Sequence, residues 1–364
     1  MNYKIKIYYF LLLVLLFFSI FGFLIFYTKS YNSINLIDSG LYKKTHFGAL
    51  SDRITRFYIL NKNNSAKHYI LGASSAWTID PLKIKKKLNE DAINLSLGGA
   101  KINELEKYIY WISKNKVGTK SIMINIEPYS FNNLQYSRQP FEIQMSLGDK
   151  LSNFFNWMVL KDTIKLLLID LNLMKTNINS HDYDENKLEK YFYTGLRYYP
   201  EYFEREKNLN LKNNMIKNLS NNKINFDRIK FDIKSINSLK RIKTICEKNN
   251  IKLILYFDPV SRRLLEANDY EFLYSELKIV KKIVSEIQPI YYFNNFNIIN
   301  NDLSFMEDSH HHYNYDAANL ILQDLLNLEN YQLMYLVDNK NFQSVVAKII
   351  KNKNSKKLNA LLNN

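Results

Sequence analysis

The sequence predicts an α/β protein whose main domain is built on a parallel sheet. Short apolar runs typical of buried strands alternate with segments whose apolar residues recur at helical spacing. Strands that alternate with helices form right-handed crossover units, and such units build a parallel sheet. The predicted strands are 68–71, 92–97, 121–126, 251–257 and 290–293, and the predicted helices are 81–88, 101–114, 236–248, 272–287 and 315–326.

Residues 129–235 interrupt this alternation and are predicted to form a mostly helical insertion or lid. The insertion is rich in tyrosine and phenylalanine. Such rings can stack on sugars, but packing on helix faces or in a core is the simpler explanation. The chain ends in a basic tail, 339–364, which has six lysines and no acidic residue and is predicted to be a solvated helix or a membrane-surface contact.

The N-terminal segment Ile7–Thr28 has no charged residue and is long enough to cross a hydrocarbon core of roughly 30 Å. It is longer than the apolar core of a signal peptide and has no small-residue cleavage site. Lys4 and Lys6 precede it, which places the N-terminus in the cytoplasm. We therefore expect an anchor at 1–29, a stalk at 30–66 and one large domain at 67–338 outside the cytoplasm.

Composition narrows the class of protein. Cys246 is the single cysteine, so the chain has no intrachain disulfide and is not a small disulfide-stapled module. The formal net charge of +15 suits an anionic membrane surface or an acidic polymer, although a compositional bias of the genome also explains a surplus of lysine. No nucleic-acid-binding motif is present.

The first candidate catalytic motif is Gly72-Ala73-Ser74-Ser75, which follows the first predicted strand. A serine on this turn exposes its hydroxyl at the carboxyl edge of the sheet, where open α/β sheets bind ligands. Its N–H lies near a helix start, where developing negative charge is favoured. Ser74 is thus a candidate nucleophile, and the alternative is a serine that caps the next helix.

The second motif, Asn94 to Ala100, follows the second predicted strand and contains Gly98 and Gly99. Glycine lets the backbone come close to a substrate and direct an N–H into a site, as an oxyanion hole requires. The alternative is an ordinary strand-to-helix turn.

The third motif is Glu307-Asp308-Ser309-His310-His311-His312-Tyr313, between the last predicted strand and the last long helix. A serine nucleophile needs an imidazole to accept its proton and a carboxylate to orient that imidazole, and Asp308 with His311 supplies both. A metal site is a rival interpretation, and solvated histidines are another. Adjacent histidines point in different directions and no second ligand cluster is present, so we predict neither a metal nor a cofactor.

Together the three motifs resemble the SGNH, or GDSL-like, hydrolase superfamily. The resemblance covers 67–126 and 236–326 and implies a three-layer flavodoxin-like domain. It implies that Ser74 is the nucleophile, that Gly99 and the Ser74 backbone bind the oxyanion, that His311 is the general base, and that Asp308 orients it.

Two positions depart from the family pattern. The family usually supplies an asparagine from a third block, Gly-x-Asn-Asp, whereas this chain has Asn125-Ile126-Glu127-Pro128. The histidine register is also open: if Tyr313 matches the aromatic residue that often follows the catalytic histidine, the base is His312 instead of His311. His310 fits least well.

An anchor followed by such a domain resembles the membrane-bound proteins of bacterial polysaccharide assembly that are related to alginate O-acetylation proteins. This resemblance implies a single-pass protein of the bacterial inner membrane with an extracytoplasmic domain. Its expected partners are the membrane, a carbohydrate polymer or acyl donor, and polysaccharide-assembly proteins.

The expected function is a serine esterase or O-acyltransferase, and the alternative is an inactive relative that binds polysaccharide or scaffolds assembly. Arg262 and Arg263 follow another strand and are candidates to bind an anionic glycan, unless they belong to a solvated loop.

Overall fold

The structure is a computed structural model that describes residues 8, 12–16, 19, 22, 52–131, 194–195, 232–267, 270–306, 312–326, 333–351 and 358. The chain divides into two compact units. One comprises Met1–Tyr58 with Pro140–Glu189, and the other comprises Ile59–Gln139 with Lys190–Asn364. The sheet belongs to the second unit, and most of the predicted insertion at 129–235 lies outside the described residues.

A six-stranded sheet forms the centre of the second unit, with the order β2-β1-β3-β4-β5-β6. Its strands are β1 (His68–Leu71), β2 (Ala92–Asn94), β3 (Ser121–Ile126), β4 (Lys252–Phe257), β5 (Ile290–Tyr292) and β6 (Tyr335–Val337). The first five are parallel, and β6 pairs antiparallel with β5. The α/β class and the largely parallel sheet are confirmed, whereas the short antiparallel strand β6 was not predicted.

The strand order places a topological switch point next to β1. The chain moves from β1 outward to β2 and then crosses back to β3 on the other side of β1. Connections that leave in opposite directions open a crevice at the carboxyl ends of the strands, and ligands of such sheets bind there. The turn after β1, which carries Ser74, lies at this crevice.

Nine α-helices have both ends within the described residues. They are α1 (Asp52–Lys62), α2 (Pro81–Leu88), α3 (Ile102–Asn115), α4 (Ile233–Lys248), α5 (Arg262–Ala267), α6 (Glu271–Glu286), α7 (Ile298–Asn301), α8 (Tyr315–Leu326) and α9 (Phe342–Ile350). Helix α9 starts the predicted basic tail, yet it is not a fully solvated helix. Its apolar residues Phe342, Val345, Val346 and Ile349 recur at helical spacing and are buried, while its lysine lies on another face.

Helices cover both faces of the sheet. On one face, alternate strand residues such as Ile70 and Met123 share a buried cluster with Ile84 of α2 and Ile321 of α8. On the other face, α3 packs against α4, which contacts β4. Each aliphatic side chain buried in this way contributes roughly 1.5–3 kcal/mol relative to leaving it in water.

Part of the predicted membrane anchor is described. Residues 8, 12–16, 19 and 22 are helical, and the large apolar side chains among them, Tyr8, Leu12, Leu13, Leu15 and Leu16, are exposed. Among the residues described, no helix has both the length and the hydropathy needed to cross a membrane. The rest of Ile7–Thr28 lies outside the described residues.

Candidate functional site

Ser74 and His312 form a hydrogen-bonded pair at the carboxyl edge of the sheet. The distance from Ser74 Oγ to His312 Nε2 is 2.8 Å, although the two residues are 238 positions apart in the chain. Both side chains are half-buried, so they remain accessible from solvent. Of the two histidines that the sequence left open as the base, His312 is the one in contact with Ser74; His311 and Asp308 lie outside the described residues, as does His310.

The turn before Ser74 depends on Gly72. Its φ of +145° is one that side chains rarely adopt, and a Cβ placed on Gly72 would lie 2.5 Å from Cβ of Asn125. Only glycine lets the turn lie directly against β3. Ser74 then begins a 3₁₀ turn, Ser74–Thr78, without capping it through its side chain. Asp80 caps α2 instead, accepting a hydrogen bond from Leu82 N at 2.9 Å, so the helix-cap explanation of Ser74 is wrong.

The loop after β2 is tied to the same turn. The Asn94 side chain donates to the carbonyl oxygens of Ala76 and Ile79 at 2.7 and 3.0 Å, and Leu97 N donates to Gly72 O at 2.9 Å. Gly99, further along this loop, has a φ of +63° and open space where a Cβ would lie. The N–H groups of Ser74 and Gly99 have no hydrogen-bond partner within the described part of the chain.

Asn125, near the end of β3, fixes the Ser74 turn against the sheet through side-chain hydrogen bonds. Its Oδ1 accepts hydrogen bonds from Ala73 N at 3.2 Å and from Ser75 Oγ at 3.1 Å. Its Nδ2 donates to Asp258, which follows β4. The amide of Asn125 is fully buried and engaged on both sides, so it cannot serve as the third oxyanion donor that the family pattern supplies.

Glu127 extends this network to the surface of the crevice. The Ser75 hydroxyl also contacts the Glu127 carboxylate. Because a hydroxyl carries one hydrogen, it donates fully to either Glu127 or Asn125 at any moment. Lys101, at the start of α3, donates to Tyr129 O at 2.6 Å. Burial lowers the pKa of the Lys101 ammonium, and the negative charges of Glu127 and Glu104 partly offset this.

Asp258 is a buried carboxyl in a position where charge is unfavourable. Burial raises its pKa well above the ordinary value, and the nearby charge of Glu127 raises it further, while contacts with Ser75, Tyr313 and Asn125 lower it. Its Oδ1 and the Tyr313 hydroxyl have no hydrogen bond of normal geometry within the described residues, but the two groups are close enough to shift each other's pKa.

Glu276 on α6 is a second buried acid. Burial raises its pKa to about 8, although hydrogen bonds with Tyr292 and Asn294 act in the opposite direction. Asn294 Nδ2 donates to Glu276 at 2.7 Å, and Asn294 Oδ1 accepts from Val260 N at 2.6 Å. Glu276 therefore fixes the loop that follows β4.

A small cleft of about 270 Å³, including solvent at its mouth, adjoins these acids. It is lined by Glu127, Asp258 and Glu276 together with the aromatic pair Tyr129 and Phe272, whose ring centroids are 6.3 Å apart. Among the described residues, no group of three or more histidine, cysteine or acidic side chains has an arrangement suited to a metal ion.

The two arginines proposed to bind substrate begin α5. Arg262 Nε donates to Glu266 Oε1 at 2.6 Å, one helical turn further on, and both side chains are largely exposed. Arg263 is exposed. The structure thus places Arg262 in an ion pair on a helix surface, and Arg263 remains the one of the two available to an anionic ligand.

Sequence reasoning missed the buried network of Ser75, Asn125 and Asp258. One signal was present: Asn125 is a polar residue inside an otherwise apolar strand, and Asp258 directly follows the next strand in the sheet. Polar residues at the carboxyl ends of adjacent parallel strands meet at one edge. Their hydrogen-bond partners, however, depend on register, which the sequence does not show.

Neither a protein-family model nor a curated protein matches the chain.

Proposed function

We propose that the protein is a membrane-anchored serine esterase or O-acyltransferase of the SGNH type that acts on a cell-envelope or exported polysaccharide. The observation that carries the proposal is the 2.8 Å contact between Ser74 Oγ and His312 Nε2 at the switch point of a parallel sheet. This is the separation that a general base needs to take a proton from a nucleophile.

In the proposed first step, Ser74 Oγ attacks the carbonyl carbon of an acyl ester while His312 Nε2 accepts the hydroxyl proton. The carbonyl π electrons move to the oxygen, which becomes an oxyanion. When the tetrahedral intermediate collapses, the ester C–O bond breaks and the leaving alcohol takes the proton from His312. The product is an acyl group on Ser74.

The oxyanion would be bound by the N–H groups of Ser74 and Gly99. Both are unpaired among the described residues, and Ser74 begins a helical turn, where N–H groups point outward. With Asn125 engaged elsewhere, the proposed hole has two backbone donors and no side-chain amide. Losing one donor of an oxyanion hole typically costs about 10²- to 10³-fold in rate, so we expect modest turnover.

In the proposed second step, His312 removes a proton from water or from a sugar hydroxyl, whose oxygen attacks the acyl carbon. The bond from that carbon to Ser74 Oγ then breaks, and Ser74 Oγ takes the proton back from His312. Water as acceptor gives an esterase, and a sugar gives a transferase. Asp308, four residues before His312, is the proposed orienting carboxylate. Arg263 and Tyr129, whose ring packs beside Phe272 in the cleft, are the proposed contacts for the carbohydrate.

The location is part of the proposal. The uncharged segment Ile7–Thr28 and its exposed apolar side chains support an inner-membrane anchor. A domain tethered outside the cytoplasm meets lipid-linked or exported polymers more often than free metabolites.

Acetyl transfer by the purified full-length protein tests this function. We expect release of the alcohol from an activated acetyl ester, and loss of this activity in both Ser74→Ala and His312→Ala. Adding a short oligosaccharide separates the two outcomes, because a transferase acetylates the sugar and an esterase releases acetate only. Equal turnover by wild type and Ser74→Ala would contradict the proposal.

The engagement of Asn125 favours a second candidate, a catalytically silent relative that binds polysaccharide or scaffolds an assembly complex. A fluorophosphonate probe distinguishes the enzyme from the silent relative, since it modifies a serine that is activated by a general base and leaves an unactivated serine unmodified. Labelling of the wild type that disappears in Ser74→Ala rules out the silent relative.

A further inference from the structure

Lysines gather at the amino edge of the sheet, which we define as the residues at or beside the starts of β1 to β4. Because these strands are parallel, their starts and the ends of the preceding helices meet at this edge, opposite to Ser74. Nine lysines occupy it, namely Lys67, Lys85, Lys86, Lys87, Lys114, Lys116, Lys120, Lys248 and Lys252. Three acidic residues accompany them, Glu90, Asp91 and Glu247.

Three of these lysines form a row across adjacent strands. Lys120 N donates to Lys67 O, and Lys252 N donates to Lys120 O, both at 2.8 Å. Like charges on neighbouring strands repel one another. The acids relieve only part of this repulsion, since Glu90 pairs with Lys120 at 2.5 Å and Asp91 pairs with Lys85 at 2.7 Å.

Four of the nine lysines are available to an external anion. Lys86, Lys87, Lys248 and Lys252 are exposed and have no ionic partner among the described residues. Two apolar side chains project among them. Val117, in the turn between α3 and β3, is 90% exposed, and Leu88, at the end of α2, is 40% exposed. Exposed apolar groups flanked by lysines fit the interface of an anionic bilayer, where lysines bind headgroups and short apolar side chains enter the acyl boundary.

The chain also enters the domain at this edge. Lys116 Nζ donates to Asn61 O at 3.2 Å and to Asn64 Oδ1 at 2.7 Å, which fixes the segment before β1 against the end of α3. In sequence, this segment connects the sheet to the apolar Ile7–Thr28. The segment that leads into the sheet therefore enters the domain at the edge where the lysines lie.

We propose that the amino edge of the sheet is a membrane-contact surface for anionic phospholipid headgroups, with Val117 at its centre. The proposal uses the membrane anchor of the proposed function to bring the surface near a bilayer, but it is independent of the serine chemistry. With this edge on the lipid, the crevice that carries Ser74 faces away from the bilayer, toward exported polymer.

A polarity-sensitive fluorophore on Val117→Cys tests the surface in the full-length protein. Cys246 is buried and its pKa is raised to about 12 by burial, so it stays unlabelled. Vesicles of phosphatidylcholine are compared with vesicles that also contain phosphatidylglycerol. We expect a blue shift only with the anionic vesicles, and its reversal in high salt. Each lysine removed in Lys86→Gln and Lys87→Gln should weaken the contact about fivefold.

The matched control is Ile298→Cys, which is also exposed, at 55%, but lies beyond the carboxyl end of β5. Its label should not respond to either vesicle. Equal response of the Val117→Cys label to both vesicles, or equal response of the two labels, would overturn the proposal. A response to a soluble acidic polysaccharide in place of anionic vesicles would also overturn it. Flotation with neutral vesicles reports the anchor separately, and acetyl-ester turnover reports the serine site.

Discussion

The two edges of the sheet each contain a serine hydrogen-bonded to a histidine, and the two pairs differ in what surrounds them. At the carboxyl edge, Ser74 Oγ contacts His312 Nε2 at 2.8 Å. At the amino edge, Ser121 Oγ contacts His68 Nδ1 at 2.7 Å, and His68 Nε2 contacts Glu90 at 3.0 Å. By distance alone, the second group is the more complete triad.

The surroundings make only the first pair suited to catalysis. Ser74 begins a helical turn in a crevice, and its N–H has no partner among the described residues. Ser121 begins a central strand, and its N–H donates to Lys67 O. A serine–histidine contact therefore needs free N–H groups beside it before it can stabilise an oxyanion. We assign the amino-edge group a structural role.

Removing the base has the largest expected effect. His312→Ala should lower acetyl-ester turnover by about 10⁴-fold or more, because Ser74 would lose its proton acceptor. If Ser121→Ala, the matched change at the amino edge, lowers turnover equally, the two serine–histidine pairs do not differ in catalytic role. Initial rates for both variants decide this.

Asn125→Leu should have the next largest effect. The change leaves the Ala73 N–H and the Asp258 carboxyl without their buried partner, and each such loss costs about 1–3 kcal/mol, whereas the Ser75 hydroxyl keeps Glu127 as a partner. We expect a fall of about 2–4 kcal/mol in the free energy of unfolding, measured by urea denaturation. Asn115→Leu, at an exposed amide, is the control and should change little. A small effect of Asn125→Leu would show that the network contributes little to stability.

The raised pKa of Glu276 should make the stability of the protein fall as the pH rises. Its pKa is raised from 4.5 to about 8 in the folded protein, so the folded state retains the proton while the unfolded state loses it. The stabilisation is fully present below pH 4.5 and is lost as the pH rises to about 8, so the free energy of unfolding falls by about 1.4 kcal/mol per pH unit between these values. Glu276→Gln should flatten this slope, as urea denaturation across the range would show. Parallel slopes for the two proteins would contradict a buried, protonated Glu276.

The smallest effect is expected from the exposed lysines of the amino edge. Lys86→Gln with Lys87→Gln should leave acetyl-ester turnover in detergent unchanged, because both side chains are solvated and lie at the edge opposite to Ser74. Turnover by the double variant and by wild type at one salt concentration makes the comparison. A large loss of turnover would mean that the two edges are coupled.

The sequence predicted the sheet well because strand and helix periodicity are local. It also located the Ser74 turn, since glycine and serine directly follow an apolar run. It left the histidine register open because three adjacent histidines have the same local chemistry. Only the return of the chain beside β1 brings His312 to Ser74. The buried network around Asn125 was missed because its contacts depend on strand register, which the sequence does not show.

Covalent labelling of Ser74 tests the central claim most directly. The full-length protein is treated with a fluorophosphonate probe, and the modified residue is located by peptide mass spectrometry in wild type, Ser74→Ala and Ser121→Ala. We predict modification at Ser74 alone, abolished by Ser74→Ala and retained in Ser121→Ala. An unlabelled wild type, or a label at Ser121, would contradict the account.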